Sequence, residues 1–119
     1  MQTEIIRIND VKIVEILSEG IIIHSVADGL DLMGNLYYQD INRIILHERN
    51  LTPDFFDLKS GIAGEILQKF SNYRVRLAIV GDFTKYTSKS LRDFIRESNK
   101  GKQIHFVSSR AEAITALTK

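Results

Sequence analysis

The sequence predicts a single α/β domain with a mixed, mostly parallel sheet and helices packed on it. The chain has 119 residues, the size of one ordinary domain, so residues 1–119 are interpreted as one unit. From residue 43 onward, short β-branched runs alternate with segments of helical periodicity, which is the pattern of parallel strands joined by helices. The first two apolar runs are separated by only two polar residues, which predicts an N-terminal hairpin.

The hairpin is predicted from residues 4–8 and 11–17, which flank the turn residues Asn9 and Asp10. Within it, Lys12 and Glu15 are expected at solvent-facing or edge positions. Residues 21–24 form a short apolar run that fits either a strand stub or buried extended chain. A helix is predicted from Ser25, because Ser25 can cap it and an acidic residue follows three positions later.

Three more strands are predicted at residues 43–47, 75–82 and 104–107, each followed by a helix. The first of these helices follows the turn at residues 50–54 and runs to about Phe70, the second spans Ser88 to Ser98, and the third closes the chain. Right-handed crossovers make the three strands parallel. The predicted core takes apolar residues from both kinds of element: Ile45, Leu46, Ile62, Ile66, Leu67, Leu77, Ile79, Leu91, Ile95 and Phe106.

Charge and composition exclude several classes of function. Sixteen Lys and Arg against fifteen Asp and Glu leave a formal charge of +1, so no global field favours nucleic acid. Lys89, Arg92 and Arg96 share one helical face, which we interpret as a solvated surface, so nucleic acid is not a predicted partner. The chain has no run long enough to span a membrane and no secretion signal, which predicts a soluble cytoplasmic protein without membrane contact. It has no cysteine, which excludes disulfides, thiol nucleophiles and thiolate metal sites.

One polar cluster has the residue types of a catalytic or ligand site. His47, Glu48, Asp54 and Asp57 follow one predicted strand, and Asp82 ends the next. The carboxyl ends of parallel strands border the usual ligand crevice of α/β proteins, and a histidine beside carboxylates suits acid/base chemistry or a hard cation. The alternative, which we favour, is that Asp54 or Asp57 caps a helix, Asp82 provides a second cap, and His47 is hydrogen-bonded at its strand end.

No complete nucleophile, metal or cofactor signature is present, so the sequence predicts no cofactor and no metal site and favours a protein that is not an enzyme. Two aromatic pairs, Tyr37 with Tyr38 and Phe55 with Phe56, exceed what one buried face requires. We expect one ring of each pair to be exposed, which suits a protein interface, including self-association as a homodimer.

Residues 57–64 (DLKSGIAG), 79–81 (IVG) and 109–113 (SRAEA) occur in the order of a known pattern. They resemble the STAS domain of sulfate transporters and anti-sigma-factor antagonists. Residues 50–58 and 80–83 resemble more closely an uncharacterised bacterial family known only as a domain of unknown function. The first resemblance implies a STAS-like fold and a module that docks to protein partners, while the second implies no activity.

The resemblance also implies a regulated serine directly after an aspartate, and here the pattern departs from it. Asp57 is followed by Leu58, so Lys59 occupies the position of that serine and Ser60 the next one. Lys59 and Ser60 are therefore added to the five residues of the polar cluster as a candidate ligand or partner site. The leading prediction is a non-catalytic interaction or regulatory module, and the alternative is a small enzyme or ligand binder that uses the polar cluster.

Overall fold

A five-stranded sheet forms the centre of the computed structural model, which describes residues 1–119. Its strands are β1 (Thr3–Ile8), β2 (Val11–Ile16), β3 (Arg43–His47), β4 (Arg76–Val80) and β5 (Ile104–Val107). Its helices are α1 (Val26–Tyr37), α2 (Ile62–Asn72), α3 (Lys89–Lys100) and α4 (Arg110–Thr118). The predicted α/β fold, with a hairpin followed by alternating helices and strands, is confirmed, and β3 and β5 have their predicted bounds.

The N-terminal hairpin pairs β1 with β2 in antiparallel register, from Thr3 opposite Ile16 to Ile8 opposite Val11. Asn9 and Asp10 form its two-residue turn with φ angles of 49° and 68°. Both angles are in the left-handed region, which Asn and Asp tolerate better than most residues and which a tight hairpin turn needs.

The strands lie in sequence order, β1-β2-β3-β4-β5, and β2 to β5 are parallel. Right-handed crossovers between consecutive neighbours put every connecting helix on the same face of the sheet. Accordingly, the larger apolar core joins α1, α2 and α3 to one face, where Ile44 and Leu46 point. A smaller core joins α4 to the opposite face, where Ile13, Ile45 and Ala78 point. The buried position of β4 between β3 and β5 is as predicted.

The segment between β3 and α2 differs from the prediction. Three short 3-10 turns occupy residues 48–50, 53–56 and 58–60, and the α-helix begins only at Ile62. Pro53 opens the second turn, and Gly61, with a φ of 78°, separates the third turn from α2. The run at residues 21–24 contributes a single bridge, from Ile23 to Leu51, rather than a strand.

Helix α4 is fastened to the sheet at its C-terminal end by arginines from β3 and β4. Arg43 donates a 2.8 Å hydrogen bond from Nη1 to the Leu117 carbonyl. Arg76 donates from Nη2 to Ala116 at 2.7 Å and from Nη1 to Lys119 at 3.2 Å. The last carbonyls of a helix have no intrahelical partner, so these guanidinium groups satisfy acceptors that the helix cannot.

The predicted core is largely confirmed. Eight of its ten residues are buried, and Ile62 and Ile95 are partly exposed and pack against the larger core. None of the four helices has the length and apolar character needed to cross a membrane.

Candidate functional site

His47 is bonded to a residue that the sequence analysis did not include in the polar cluster. Its Nε2 lies 2.8 Å from Oε2 of Glu15, and Nε of Arg110 donates to Oε1 of the same carboxylate at 2.6 Å. The guanidinium also lies 3.5 Å from Glu4. The expectation that Glu15 is solvent-facing is wrong: its side chain is 3% exposed, because β2 is an interior strand and α4 covers this face.

Burial acts to raise the pKa of Glu15, but the hydrogen bonds from Arg110 and His47 outweigh it and lower that pKa below the usual value. The same contact raises the pKa of Arg110. Glu15 is therefore a buried, charged acceptor that joins β2, β3 and α4. The sequence does place this carboxylate between two apolar residues, Val14 and Ile16. That pattern indicates a buried, paired acid only if the strand lies inside the sheet, as β2 does.

Glu48, the next residue after His47, faces a different group of side chains. Its carboxylate lies 2.8 Å from Nζ of Lys85 and accepts a hydrogen bond from the Tyr86 hydroxyl. It also accepts from the backbone N–H of Asp82 at 3.3 Å. Burial, followed by the bond to Glu48, raises the pKa of Tyr86 above its usual value. Gly81 makes this approach feasible, since a Cβ there would lie 2.7 Å from Glu48 Cβ.

The three aspartates of the polar cluster, and Ser60 of the wider candidate site, belong to local turns. Asp57 accepts from the backbone N–H of Lys59 at 3.2 Å, and Asp82 accepts from the backbone N–H and the hydroxyl of Thr84. These hydrogen bonds from Thr84 lower the pKa of Asp82. The Ser60 hydroxyl donates to the Asp54 carbonyl at 2.7 Å and accepts from the N–H of Ile62 at 3.2 Å.

The structure therefore brings Glu48 and the backbone of Asp82 together but separates His47 from the rest of the polar cluster. His47 has the same strand parity as Ile45 and bonds on the α4 side of the sheet. Asp54, Asp57 and Lys59 lie in the connection to α2, which packs on the other side. No three His, Asp or Glu side chains are placed to hold a metal ion.

A crevice lies at the carboxyl ends of β4 and β5. The connection after β4 leads to α3 on one face, and that after β5 leads to α4 on the other, so the chain diverges here, as in α/β ligand sites. The crevice has a volume of about 740 Å³, and Asp82 is the one predicted site residue that lines it. Its other carboxylate, Glu112, accepts from the N–H and hydroxyl of Ser108 at 2.9 and 2.6 Å. Asp82 is thus already bonded within its own loop, and Glu112, in the first turn of α4, to the connection that precedes that helix.

A second opening, of about 720 Å³, lies between the C-terminal ends of α1 and α2. Three of its five hydrophobic lining residues are tyrosines, and the other two are Leu30 and Met33. Tyr37 is 54% exposed, Tyr38 93% and Tyr73 55%. The rings of Tyr37 and Tyr73 meet edge to face, with centroids 6.2 Å apart. We call this opening the tyrosine groove and define it by Gly34, Tyr37, Tyr38, Asp40, Lys69 and Tyr73.

The prediction that one ring of each aromatic pair is exposed is wrong for both pairs. Both tyrosines of the first pair are exposed, and both Phe55 and Phe56 are buried. Phe56 belongs to the larger core and stacks on Tyr86, with 5.0 Å between the ring centroids. Tyr73 was not predicted as a site residue. Like Tyr37, it lies at the C-terminal end of a helix that precedes a parallel strand.

Comparison with known proteins gives the following results. No curated protein sequence matches the chain. Among solved structures, a Thermotoga maritima protein that is described as an anti-sigma factor antagonist matches with a TM-score of 0.48 and 15% sequence identity, over 98% of this chain and 95% of that one. The family model described as "Domain of unknown function (DUF4180)" matches residues 8–117. Because that match spans nearly the whole chain, the protein belongs to the DUF4180 family.

Proposed function

We propose that this protein is a non-catalytic protein-interaction module and that its partner binds the tyrosine groove. The observation that carries the proposal is the exposure of Tyr37, Tyr38 and Tyr73 around one opening. Tyrosine is enriched in protein interfaces because its large ring contributes apolar contact area while its hydroxyl keeps a polar partner. Aromatic side chains with this exposure around one concave surface are typical of a binding site rather than of a solvated helix end.

The groups at the strand ends support the same proposal. The carboxylates of Glu15, Glu48 and Asp82 are each engaged by donors from the protein itself. Within the chain they serve as acceptors that join neighbouring elements of the fold. The resemblance to STAS domains, which implies docking to protein partners, agrees with an interaction module.

Site-specific photocrosslinking in native cells tests the proposal. Tyr38→p-benzoylphenylalanine places the photoreactive ring at the most exposed of the three tyrosines of the tyrosine groove. The matched control carries the same replacement at Lys89, whose side chain is 90% exposed on α3. We expect irradiation to give a discrete protein adduct from position 38 and none from position 89. The absence of an adduct at position 38, or the same adduct from both positions, would contradict the proposed function.

A further inference from the structure

We infer that the partner on the tyrosine groove is a second copy of this chain, bound in a two-fold symmetric dimer. This inference rests on the proposed function and names its partner. In a two-fold interface the same patch faces itself, so the patch has to be complementary to its own rotated copy. The tyrosine groove meets this condition in charge and in shape.

The charge argument concerns Asp40 and Lys69. Asp40 follows α1 and Lys69 belongs to α2, so they border the groove from its two sides, and neither takes part in an ion pair within the chain. A two-fold rotation brings Asp40 of each copy toward Lys69 of the other and forms two equivalent pairs. A partner of strongly positive or negative charge would gain from one of these residues and be repelled by the other.

The shape argument concerns glycines in α1. Gly29 is required by the fold, because a Cβ at this position would lie 2.9 Å from Cδ1 of Ile66 on α2. Gly34 has no such neighbour, since a Cβ there would meet nothing within 4 Å. Glycine within a helix costs about 1 kcal/mol relative to alanine, so the isolated chain gains nothing from Gly34. Its lack of a side chain leaves room on the groove floor.

Tyr38 is the side chain that fits this room in the dimer. It is 93% exposed and begins one residue after α1, at the edge of the groove that contains Gly34. In the two-fold arrangement, the Tyr38 ring of each copy covers Gly34 of the other, and the Asp40 and Lys69 pairs flank the rings. The formal charge of only +1 adds little long-range repulsion between copies.

Charge reversal and complementation test the pairing. Asp40→Lys and Lys69→Asp are prepared separately as full-length chains, and association is measured by sedimentation velocity over a concentration series. Each variant alone places two like-charged pairs in its homodimer, so we expect its dissociation constant to rise about tenfold or more. Mixing the two variants in equal amounts recreates both opposite-charge pairs, and we expect this mixture to associate as the wild type does.

A pair of glycine variants tests the shape argument without harming the fold. Gly34→Gln fills the groove floor and replaces glycine by a better helix former, so we expect a stable monomer. Gly64→Gln makes the same change in α2, where the Cβ is also unobstructed but lies outside the groove, and we expect the dimer to persist. Thermal denaturation of both variants checks that each one folds.

The outcomes separate this inference from the proposed function. A wild-type chain that remains monomeric, a dimer insensitive to both charge reversals, or a mixture that fails to recover would overturn the two-fold dimer. If the chain is monomeric and position 38 crosslinks to a different protein, the dimer is wrong and the interaction module stands. If position 38 crosslinks to nothing, both fail. An adduct with twice the mass of the chain, together with complementation, supports both.

Discussion

The Nε atom of Arg110 donates a 2.6 Å hydrogen bond to the carboxylate of Glu15, across 95 positions of sequence. This contact fixes the N-terminal end of α4 over β2, while Arg43 and Arg76 hold its C-terminal end. Helix α4 is the sole helix on its face of the sheet and buries only Ala113 and Leu117 fully. Polar anchors at its two ends therefore contribute to its attachment alongside a small apolar contact.

Removal of Arg110 tests the first anchor. Arg110→Ala leaves one oxygen of the buried Glu15 carboxylate without its donor, and an unsatisfied buried acceptor costs about 1–3 kcal/mol. We expect the free energy of unfolding in urea to fall by that amount. Arg96→Ala is the matched control, because Arg96 pairs with Asp93 on the exposed surface of α3 and should change stability little. Equal effects of the two substitutions would argue against an anchoring role for Glu15.

The same anchor predicts a loss of stability in acid. The pKa of Glu15 is lower in the folded chain than its ordinary value near 4.5, so between the two values the unfolded chain binds the proton more readily. The stabilisation is present above the ordinary value and is lost as the pH falls through the folded pKa. Arg110 and His47 contact this carboxylate, and Glu4, which is opposite Glu15 in the hairpin, contacts the same guanidinium.

Glu15→Gln isolates this contribution from those of other acids. We expect the wild type to be more stable than the variant at about pH 6 and the difference to shrink toward about pH 3, as Glu15 becomes protonated. Urea denaturation of both proteins across that range measures the difference. A difference that stays constant with pH would show that Glu15 does not titrate in this way.

Arg76 provides a prediction about local stability. Arg76→Ala removes donors to the carbonyls of Lys102, Ala116 and Lys119; Ala116 lies in the last turn of α4, and Lys119 directly follows this helix. We expect amide hydrogen exchange to accelerate in α4 more than in α3, because carbonyls at the C-terminal end of α4 lose the guanidinium group that donates to them. Arg92→Ala is the control, since Arg92 has no ion pair or side-chain hydrogen bond. Uniform acceleration over all helices would indicate global destabilisation instead.

The order of elements was predictable because it depends on local periodicity. The β-branched runs at residues 43–47 and 104–107 and the cap of α1 by Ser25 are properties of short segments, and the structure reproduces them. Residues 48–60 were less predictable. There, Pro53 and Gly61 interrupt the chain before the helix of residues 62–72. The residues between them form short 3-10 turns, which combine backbone hydrogen bonds three residues apart with side-chain caps from Thr52 and Asp57.

The candidate sites were harder to predict, because they depend on contacts between elements that are far apart in the sequence. Whether His47 faces Asp82 or Glu15 is decided by strand parity and by which strand lies beside β3, and the partner Arg110 comes from the last helix. The tyrosine groove likewise arises because α1 and α2 run side by side, so that Tyr37 and Tyr73 finish at the same end. The exposed Tyr38 was within reach of the sequence as a surplus aromatic, but Tyr73 was not.

The contact between Glu48 and Tyr86 predicts a spectroscopic change. Burial and the hydrogen bond to Glu48 together raise the pKa of Tyr86, so Glu48→Gln should lower that pKa toward the ordinary value by removing the charged acceptor. An ultraviolet titration of tyrosinate measures it, and the difference between wild type and Tyr86→Phe identifies the signal among the four tyrosines. An unchanged Tyr86 titration in Glu48→Gln would mean that burial alone sets the pKa.

Ser60 connects the turn at Asp54 to the start of α2, which makes it a test of the role of the β3–α2 connection. Its hydroxyl donates to the Asp54 carbonyl and accepts from the N–H of Ile62, the first residue of α2. Ser60→Ala removes both hydrogen bonds at an exposed position, so we expect the free energy of unfolding to fall by about 1 kcal/mol or less, as for a helix cap.

Ser71→Ala is the control, because Ser71 is exposed inside α2 and makes no side-chain hydrogen bond; this substitution should be neutral or slightly stabilising. Urea denaturation compares them, and a loss of several kcal/mol at Ser60 would show that the connection has a larger structural role than capping α2.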